Sequence, residues 1–233
     1  MHSNRYTLIY ATVLSVITAI VLAVAAEGLK PAQDANIALD KKSNILRAVR
    51  LAYTERTQIE NTYAKSIQEM VLNASGELIN GVKTKDINLK EEVGKDPKNR
   101  RLPLYVFTAQ NGENYYIVPM QGVGLWGPIW GYISLKNDFS TVYGAFFDHK
   151  SETPGLGAEI AEQPFQQQFQ GKKIMMDEKF VSVNVMKKTD KSDLANDYRV
   201  DAISGGTITS RGANNMIKNC MEPYLAYFEK IKK

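Results

Sequence analysis

Two glycines set between hydroxyl residues, in the run Ser204-Gly205-Gly206-Thr207, stand just ahead of a stretch with helical spacing. Glycines let backbone N–H groups approach an anion closely, and a following helix points the positive end of its dipole at the same place. The chemistry this suits is the holding of a phosphate. The run is not a Walker loop, because the terminal Gly-Lys-Ser/Thr and its wider spacing are absent, and it does not follow the G-x-G-x-x-G dinucleotide pattern. On the residues alone a second reading stands beside the phosphate site: a strand-to-helix turn in which Thr209 or Ser210 serves as an ordinary N-cap.

Two further clusters carry turn chemistry. Ser151-Glu152-Thr153-Pro154-Gly155-Leu156-Gly157 punctuates the end of a β-rich run, and Gly122 to Gly131 sets glycines around Trp126 and Trp130, the only two tryptophans. Large aromatics between glycines can make a flat apolar wall for a planar ring, or simply a strand core, which is the expectation for Trp130. Metal chemistry is disfavoured. One cysteine, Cys220, excludes a multi-thiolate site within the chain, and His2 and His149 are the only imidazoles.

The elements that must position these residues follow from composition and periodicity. A chain of 233 residues with 23% charged residues is long enough and apolar enough for one sizeable domain. The net charge of +4 is spread rather than gathered into an aromatic-interleaved patch, so nucleic acid is not an expected partner. Tyr6 to Ala26 carries no charge and is long enough to cross a bilayer as a helix of about 1.5 Å rise per residue. Its length favours a retained transmembrane helix over a signal peptide cleaved near Ala23-Val24-Ala25. Arg5 before the span and Glu27 after it place the N-terminus, 1–5, in the cytoplasm and the remainder outside.

Beyond the span, 6–26, Gly28 and Pro31 are expected to break the helix, with helical patterns resuming over Ala35 to Ala52 and Thr57 to Asn73, the second opened by a Thr57/Glu60 capping box. A helical membrane-proximal segment, 27–80, thus precedes the domain proper, 81–233. Val82 to Arg101 reads as a solvated mixed-charge loop. The period then changes to two, with strands on either side of Gln110-Asn111-Gly112-Glu113, a strong hairpin signal. Strands are also expected over 128–136, 142–149 and 179–187, a helical stretch over Gln163 to Phe169, and a last helix from about Ser210 that Pro223 interrupts. Cys220 lies on the apolar stripe of that helix and is expected as core. The fold class is α+β: an antiparallel sheet flanked by helices.

Taken together, Gly124-Leu125-Trp126, Glu152-Thr153-Pro154-Gly155-Leu156-Gly157 and Asp201-Ala202-Ile203-Ser204-Gly205-Gly206-Thr207 resemble, in that order, the motifs of the covalent flavin-binding FMN-bind domain family. The likeness covers most of the chain and is greatest to the FMN-bind subunit of the sodium-translocating NADH:quinone oxidoreductase (Na+-NQR), ahead of its counterpart in the Rnf complex. It implies that Thr207 carries FMN as a phosphoester, within the pattern D-x-x-S/T-G-A-T. It also implies that Ser204, Gly205, Gly206 and Ser210 lie near the phosphate, and Glu152, Thr153, Leu156, Gly157 and Trp126 near the ring. The family has alanine where this chain has Gly206. No His or Cys base stands beside Thr207 in the sequence, so attachment calls for a separate flavin transferase that uses FAD and a divalent cation. The implied role is a membrane-anchored electron-transfer subunit in the bacterial inner membrane, its domain on the periplasmic side. It would relay electrons from NADH towards quinone, with the complex's other subunits and the lipid bilayer as partners. The alternatives are the Rnf role, with electrons passing between ferredoxin and NAD, and a membrane-anchored binding module without redox function.

Overall fold

The computed structural model describes residues 3–232; Met1, His2 and Lys233 lie outside them, so the expected segment 1–5 is followed only from Ser3. The chain divides into two units, Met1–Lys41 and Lys42–Lys233.

Helix α1 spans Asn4–Ala48 and is long and apolar enough to cross a membrane, with a window of mean hydropathy 2.5. The expected break at Gly28 and Pro31 does not occur, and Pro31 sits inside the helix. A proline there gives up the hydrogen bond to the Glu27 carbonyl and crowds that carbonyl, but the surrounding Ala25, Ala26, Leu29, Lys30, Ala32 and Gln33 are strong helix formers that carry the helix across.

In the second unit, the end of α1 terminates in a Schellman arrangement. Leu51 N–H bonds the Leu46 carbonyl at 3.0 Å and Arg50 N–H bonds the Arg47 carbonyl at 2.8 Å, with Arg50 at φ 66°. Helix α2 covers Arg56–Ser66 with Glu55, not Thr57, as N-cap. The expected helix to Asn73 stops there, and Ile67–Leu72 is strand β1. Ile67, Met70 and Val71 fit a helical spacing, yet β1 pairs antiparallel along β2 from Ile67 opposite Phe107 to Leu72 opposite Leu102, and that ladder overrides local propensity. The segment 27–80 is therefore not wholly helical, and its strand is part of the main sheet.

Strands β2 (Leu102–Thr108), β3 (Asn114–Val123), β4 (Pro128–Leu135) and β5 (Val142–His149) complete a five-stranded antiparallel meander in the order β1-β2-β3-β4-β5. The β2–β3 turn is the expected Asn-Gly turn, with Gly112 at φ 83°. Alternation along the strands gives two buried faces. One presents Leu104, Val118, Met120, Ile129, Ile133 and Phe147 to a core shared with Ala213, Met216, Ile217, Cys220 and Met221. On the other side, Ser134 Oγ donates to the Ala48 carbonyl at 2.6 Å, and a Cβ on Gly144 would stand 2.5 Å from that carbonyl, so the end of α1 lies directly on β4 and β5.

The stretch Val82 to Arg101 is more ordered than a solvated loop. It holds helix α3 (Leu89–Gly94) and Glu92, which is 1% exposed. Arg101 reaches Glu92 through its backbone N–H at 3.0 Å and its Nε at 2.8 Å, and Lys95 Nζ reaches it at 2.9 Å. These bonds explain how one acidic side chain of a charged run comes to be buried.

The strand expected over 179–187 is split by Ser182, at φ 64°. Its first part, β7 (Lys179–Phe180), pairs with β6 (Met175–Met176), and its second, β8 (Asn184–Met186), runs parallel to β9 (Arg199–Asp201). Helix α4 (Gln163–Gln166) continues as a 3-10 turn to Phe169, close to expectation. The last helix, α5, begins at Thr207 and ends at Met221, and after a 3-10 turn containing Pro223 helix α6 covers Leu225–Ile231. Cys220 is 4% exposed, and burial pushes its thiol pKa up.

Candidate functional site

Strand β9 delivers the chain to Asp201, and Ser204 and Gly205 turn it into α5. Gly205 takes φ 74°, the left-handed region that favours glycine, and a Cβ there would also press on Leu156 Cδ2 at 2.5 Å, a contact the leucine end can relieve by moving. Gly206 is the N-cap and Thr207 the first helical residue; neither Thr209 nor Ser210 caps the helix. Ser210 Oγ instead accepts from Ile203 N–H at 3.0 Å and closes the turn from inside. Gly206 N–H bonds the Ile203 carbonyl, and Ser210 N–H bonds that of Gly206. The amides of Thr207, Ile208 and Thr209 are then left with no acceptor among the described residues, at the positive end of a fifteen-residue helix.

The two threonines of the turn are in opposite situations. Thr209 is 1% exposed and its hydroxyl donates to Glu152 Oε2. Thr207 is half-buried, and its hydroxyl has no partner among the described residues. Thr207 lines a cleft of about 210 Å³ with Glu152, Thr153, Leu156, Gly157, Gly205, Gly206 and Thr209.

Glu152 ties the site together. Its carboxylate, 4% exposed, accepts from Trp126 N–H at 2.8 Å on one oxygen and from Thr209 on the other. His149 Nδ1 accepts from Glu152 N–H at 3.1 Å, which fixes the chain behind it. A Cβ on Gly124 would stand 2.5 Å from Glu152 Oε1, and one on Gly157 would collide with both Glu152 Oε2 and the Thr209 hydroxyl. The glycines of the two motifs are there to let a buried carboxylate bridge the loop before β4 to the first turn of α5. Glu152→Ala leaves the Trp126 amide and the Thr209 hydroxyl without an acceptor, which costs about 3 kcal/mol. The expected result is a lower midpoint in a urea melt followed by tryptophan fluorescence, with Glu152→Gln closer to the parent because it keeps one acceptor.

Of the residues expected at the site, Glu152, Thr153, Leu156, Gly157, Gly205, Gly206 and Thr207 share the cleft. Ser204 lies outside it, exposed, on a neighbouring depression with Gly155, Asp201 and Ile203. Ser210 is turned inward, under the turn rather than into the cleft. Trp126 contributes its backbone amide while its side chain is 65% exposed, and Trp130 is only half-buried rather than core. Leu125, the middle residue of Gly124-Leu125-Trp126, and Ile208 also line the cleft although neither was among the residues expected at the ring or the phosphate. A period-based signal existed for Ile208, an apolar residue off the buried stripe of α5. Outside α1, the exposed large apolar residues among those described are Leu78, Val123, Leu125, Trp126, Leu156, Ile208 and Ile231; Leu125, Leu156 and Ile208 line this cleft, and Val123 and Trp126 flank Leu125.

Comparison with known proteins fits this geometry. The Na+-translocating NADH-quinone reductase protein NqrC of Haemophilus ducreyi is 33% identical, over 96% of this chain and 93% of that protein. The chain belongs to the NqrC family of Na+-translocating NADH-quinone reductase subunits. The family member from Neisseria meningitidis serogroup A is 30% identical, over 97% of this chain and 93% of its own. The crystal structure of the family member from Parabacteroides distasonis superposes with a TM-score of 0.78 at 37% identity, over 86% of this chain and 96% of that one. A Shewanella oneidensis structure, at 22% identity and a TM-score of 0.69, shares the fold. The FMN-binding domain profile matches residues 124–222, which begins at Gly124 and includes Glu152 and Thr207. NqrC proteins are, by name, subunits of an oxidoreductase. A Cβ at Gly206, where the flavin-binding pattern has alanine, would stand 3.0 Å from Ile203 Cγ2 and 3.4 Å from Gly157 N, so glycine leaves the turn slightly looser without changing its path.

Proposed function

We propose that this protein is the membrane-anchored NqrC-type FMN subunit of a Na+-translocating NADH:quinone oxidoreductase, with FMN joined through its phosphate to Thr207 Oγ. The observation that carries the reading is the contrast between the two threonines: Thr209 is buried and bonded to Glu152, whereas the Thr207 hydroxyl is available at the mouth of the cleft. The residues present suit the group. Three amides without acceptors and the α5 dipole suit a phosphate beside Thr207. Glycines at 205, 206 and 157 let Leu156, Ile203 and the Glu152–Thr209 pair pack closely around the turn that holds Thr207. Leu125, Leu156 and Ile208 offer apolar cover to a flat ring system, with Trp126 beside them.

When bound, FMN supplies the redox chemistry, and the chain supplies attachment, orientation and shielding. Glu152 serves position: it ties the Trp126 loop to the first turn of α5, which brings Leu125 and Ile208 to the same cleft. The Thr207 hydroxyl is a weak nucleophile, and the imidazole of His149 is engaged with Glu152 N–H behind the carboxylate, so attachment depends on a separate flavin transferase acting on FAD. With α1 in the inner membrane and the domain on the periplasmic side, the protein relays electrons from NADH towards quinone among the other subunits of the complex.

The test is intact-mass measurement of the full chain after co-expression with a flavin transferase, followed by fragmentation of the peptide that spans 204–211. The expected result is a gain of one FMN less one water, placed on Thr207. A chain with no such gain, while the transferase loads a control substrate, would falsify the covalent reading and leave the non-redox binding module.

A further inference from the structure

A wide cleft on the second unit lies away from Thr207. It has a volume of about 460 Å³ and is lined by Arg47, Arg50, Phe146, Gln163, Gln167 and Gln170, among others, with no Asp or Glu in its wall. Neither guanidinium is paired with a carboxylate among the described residues. Each is instead held over an aromatic ring: Arg47 at 5.6 Å from the Phe146 centroid and Arg50 at 5.4 Å from that of Tyr143. Cation–π contacts of this kind orient a guanidinium without using its hydrogen-bonding donors.

The position of Arg50 is costly for an arginine. It occupies the left-handed residue of a Schellman motif at φ 66°, where glycine is the residue that fits without strain. The ordinary explanation, that cations near a helix C-terminus complement its carbonyls, does not account for it. The Ala48 carbonyl already accepts from Ser134 Oγ, the Leu46 carbonyl from Val49 and Leu51, and the Arg47 carbonyl from Arg50 N–H. These three carbonyls are met by other groups, and both guanidinium forks remain for something in the cleft.

We propose that the Arg47–Arg50 cleft is a binding site for a phosphate-bearing anion, with the two guanidinium forks taking its oxygens and the carboxamides of Gln163 and Gln170 supplying further donors. Two planar forks carrying two positive charges suit a tetrahedral group with several acceptor oxygens better than a single carboxylate, which one fork satisfies. The same chemistry is offered by a free phosphate compound and by an anionic lipid headgroup.

The test uses the purified full chain in a neutral detergent at fixed ionic strength, with thermal melting followed by tryptophan fluorescence. One arm adds inorganic phosphate, and the other adds water-soluble short-chain phosphatidylglycerol. A saturable rise of the melting midpoint on the phosphate arm alone assigns a free phosphate compound, on the lipid arm alone a headgroup, and on both arms the phosphate group from either source. Arg47→Gln is expected to require about tenfold more ligand for the same rise. Arg50→Gly is the deciding variant, because it relieves the left-handed backbone: its midpoint without ligand should equal or exceed the parent's, while the response to ligand is lost. No rise on either arm, or an undiminished rise in Arg50→Gly, overturns the proposal. The site is separate from the flavin attachment, but the acceptor-free amides of Thr207, Ile208 and Thr209 also suit a phosphate, so only the part of the rise that the parent shows and Arg50→Gly does not is assigned to this cleft.

Discussion

Thr207→Ala is expected to remove all of the flavin fluorescence that survives SDS denaturation of the chain co-expressed with a flavin transferase, bringing the band to background. The hydroxyl is the only atom of the side chain that can form the phosphoester, and alanine at the first helical position leaves the helix intact. Thr207→Ser keeps the hydroxyl at the same place and should keep the band. Thr209→Ser keeps the donor to Glu152 and should also keep it, so this pair separates the attachment atom from the packing around it. A band that persists in Thr207→Ala would move the linkage to another hydroxyl, with Ser204, exposed on the adjoining turn, as the next residue to replace.

The second large effect concerns stability. Glu92→Ala is expected to cost about 3 kcal/mol, because a buried carboxylate that receives one backbone and two side-chain donors is removed and those donors lose their acceptor. In a thermal melt of the full chain this corresponds to a midpoint lower by on the order of 5–10 °C. The pH dependence has a definite sign. Burial alone would raise the Glu92 pKa, but the hydrogen bonds from Arg101 N–H, Lys95 and the Arg101 guanidinium together hold it below the ordinary 4.5. A carboxyl whose folded pKa is lowered contributes its stability above the unfolded value and loses it as pH falls through the folded one. The gap between parent and Glu92→Ala in urea melts should therefore be full at pH 7 and shrink as the pH is brought below about 4.

The sheet was legible where side-chain period and turn chemistry agree. Asn111-Gly112 between alternating runs marked β2 and β3, and the strands over 128–135 and 142–149 followed from the same alternation. The failures have identifiable physical causes. Ile67 to Leu72 carries a pattern that suits either a helix or a strand, and only the long-range pairing with Leu102 to Phe107 decides it. Pro31 reads as a helix breaker, but its neighbours have high helical propensity. Ser182 breaks the 179–187 run through a positive φ that no sequence rule assigns to serine. At the site, the residues alone left a phosphate loop and an ordinary capped turn both open, and Thr207 was singled out only by the likeness of its surroundings to the FMN-bind motifs. The bridging part of Glu152 was not legible, since its partners lie 26 and 57 residues away and the sequence contains no sign of which donors a carboxylate will meet.

That bridge also sets an order of events during biosynthesis. Glu152 joins a loop in the middle of the chain to a helix near its C-terminal end, and the cleft beside Thr207 has no wall until both have docked on the sheet. A chain still emerging from the ribosome, or one cut short before α5 is complete, would offer the proposed transferase a threonine without a seat. On the attachment proposed at Thr207, loading with FMN would be confined to molecules in which the Glu152 bridge has closed, which makes a single carboxylate a checkpoint between folding and maturation.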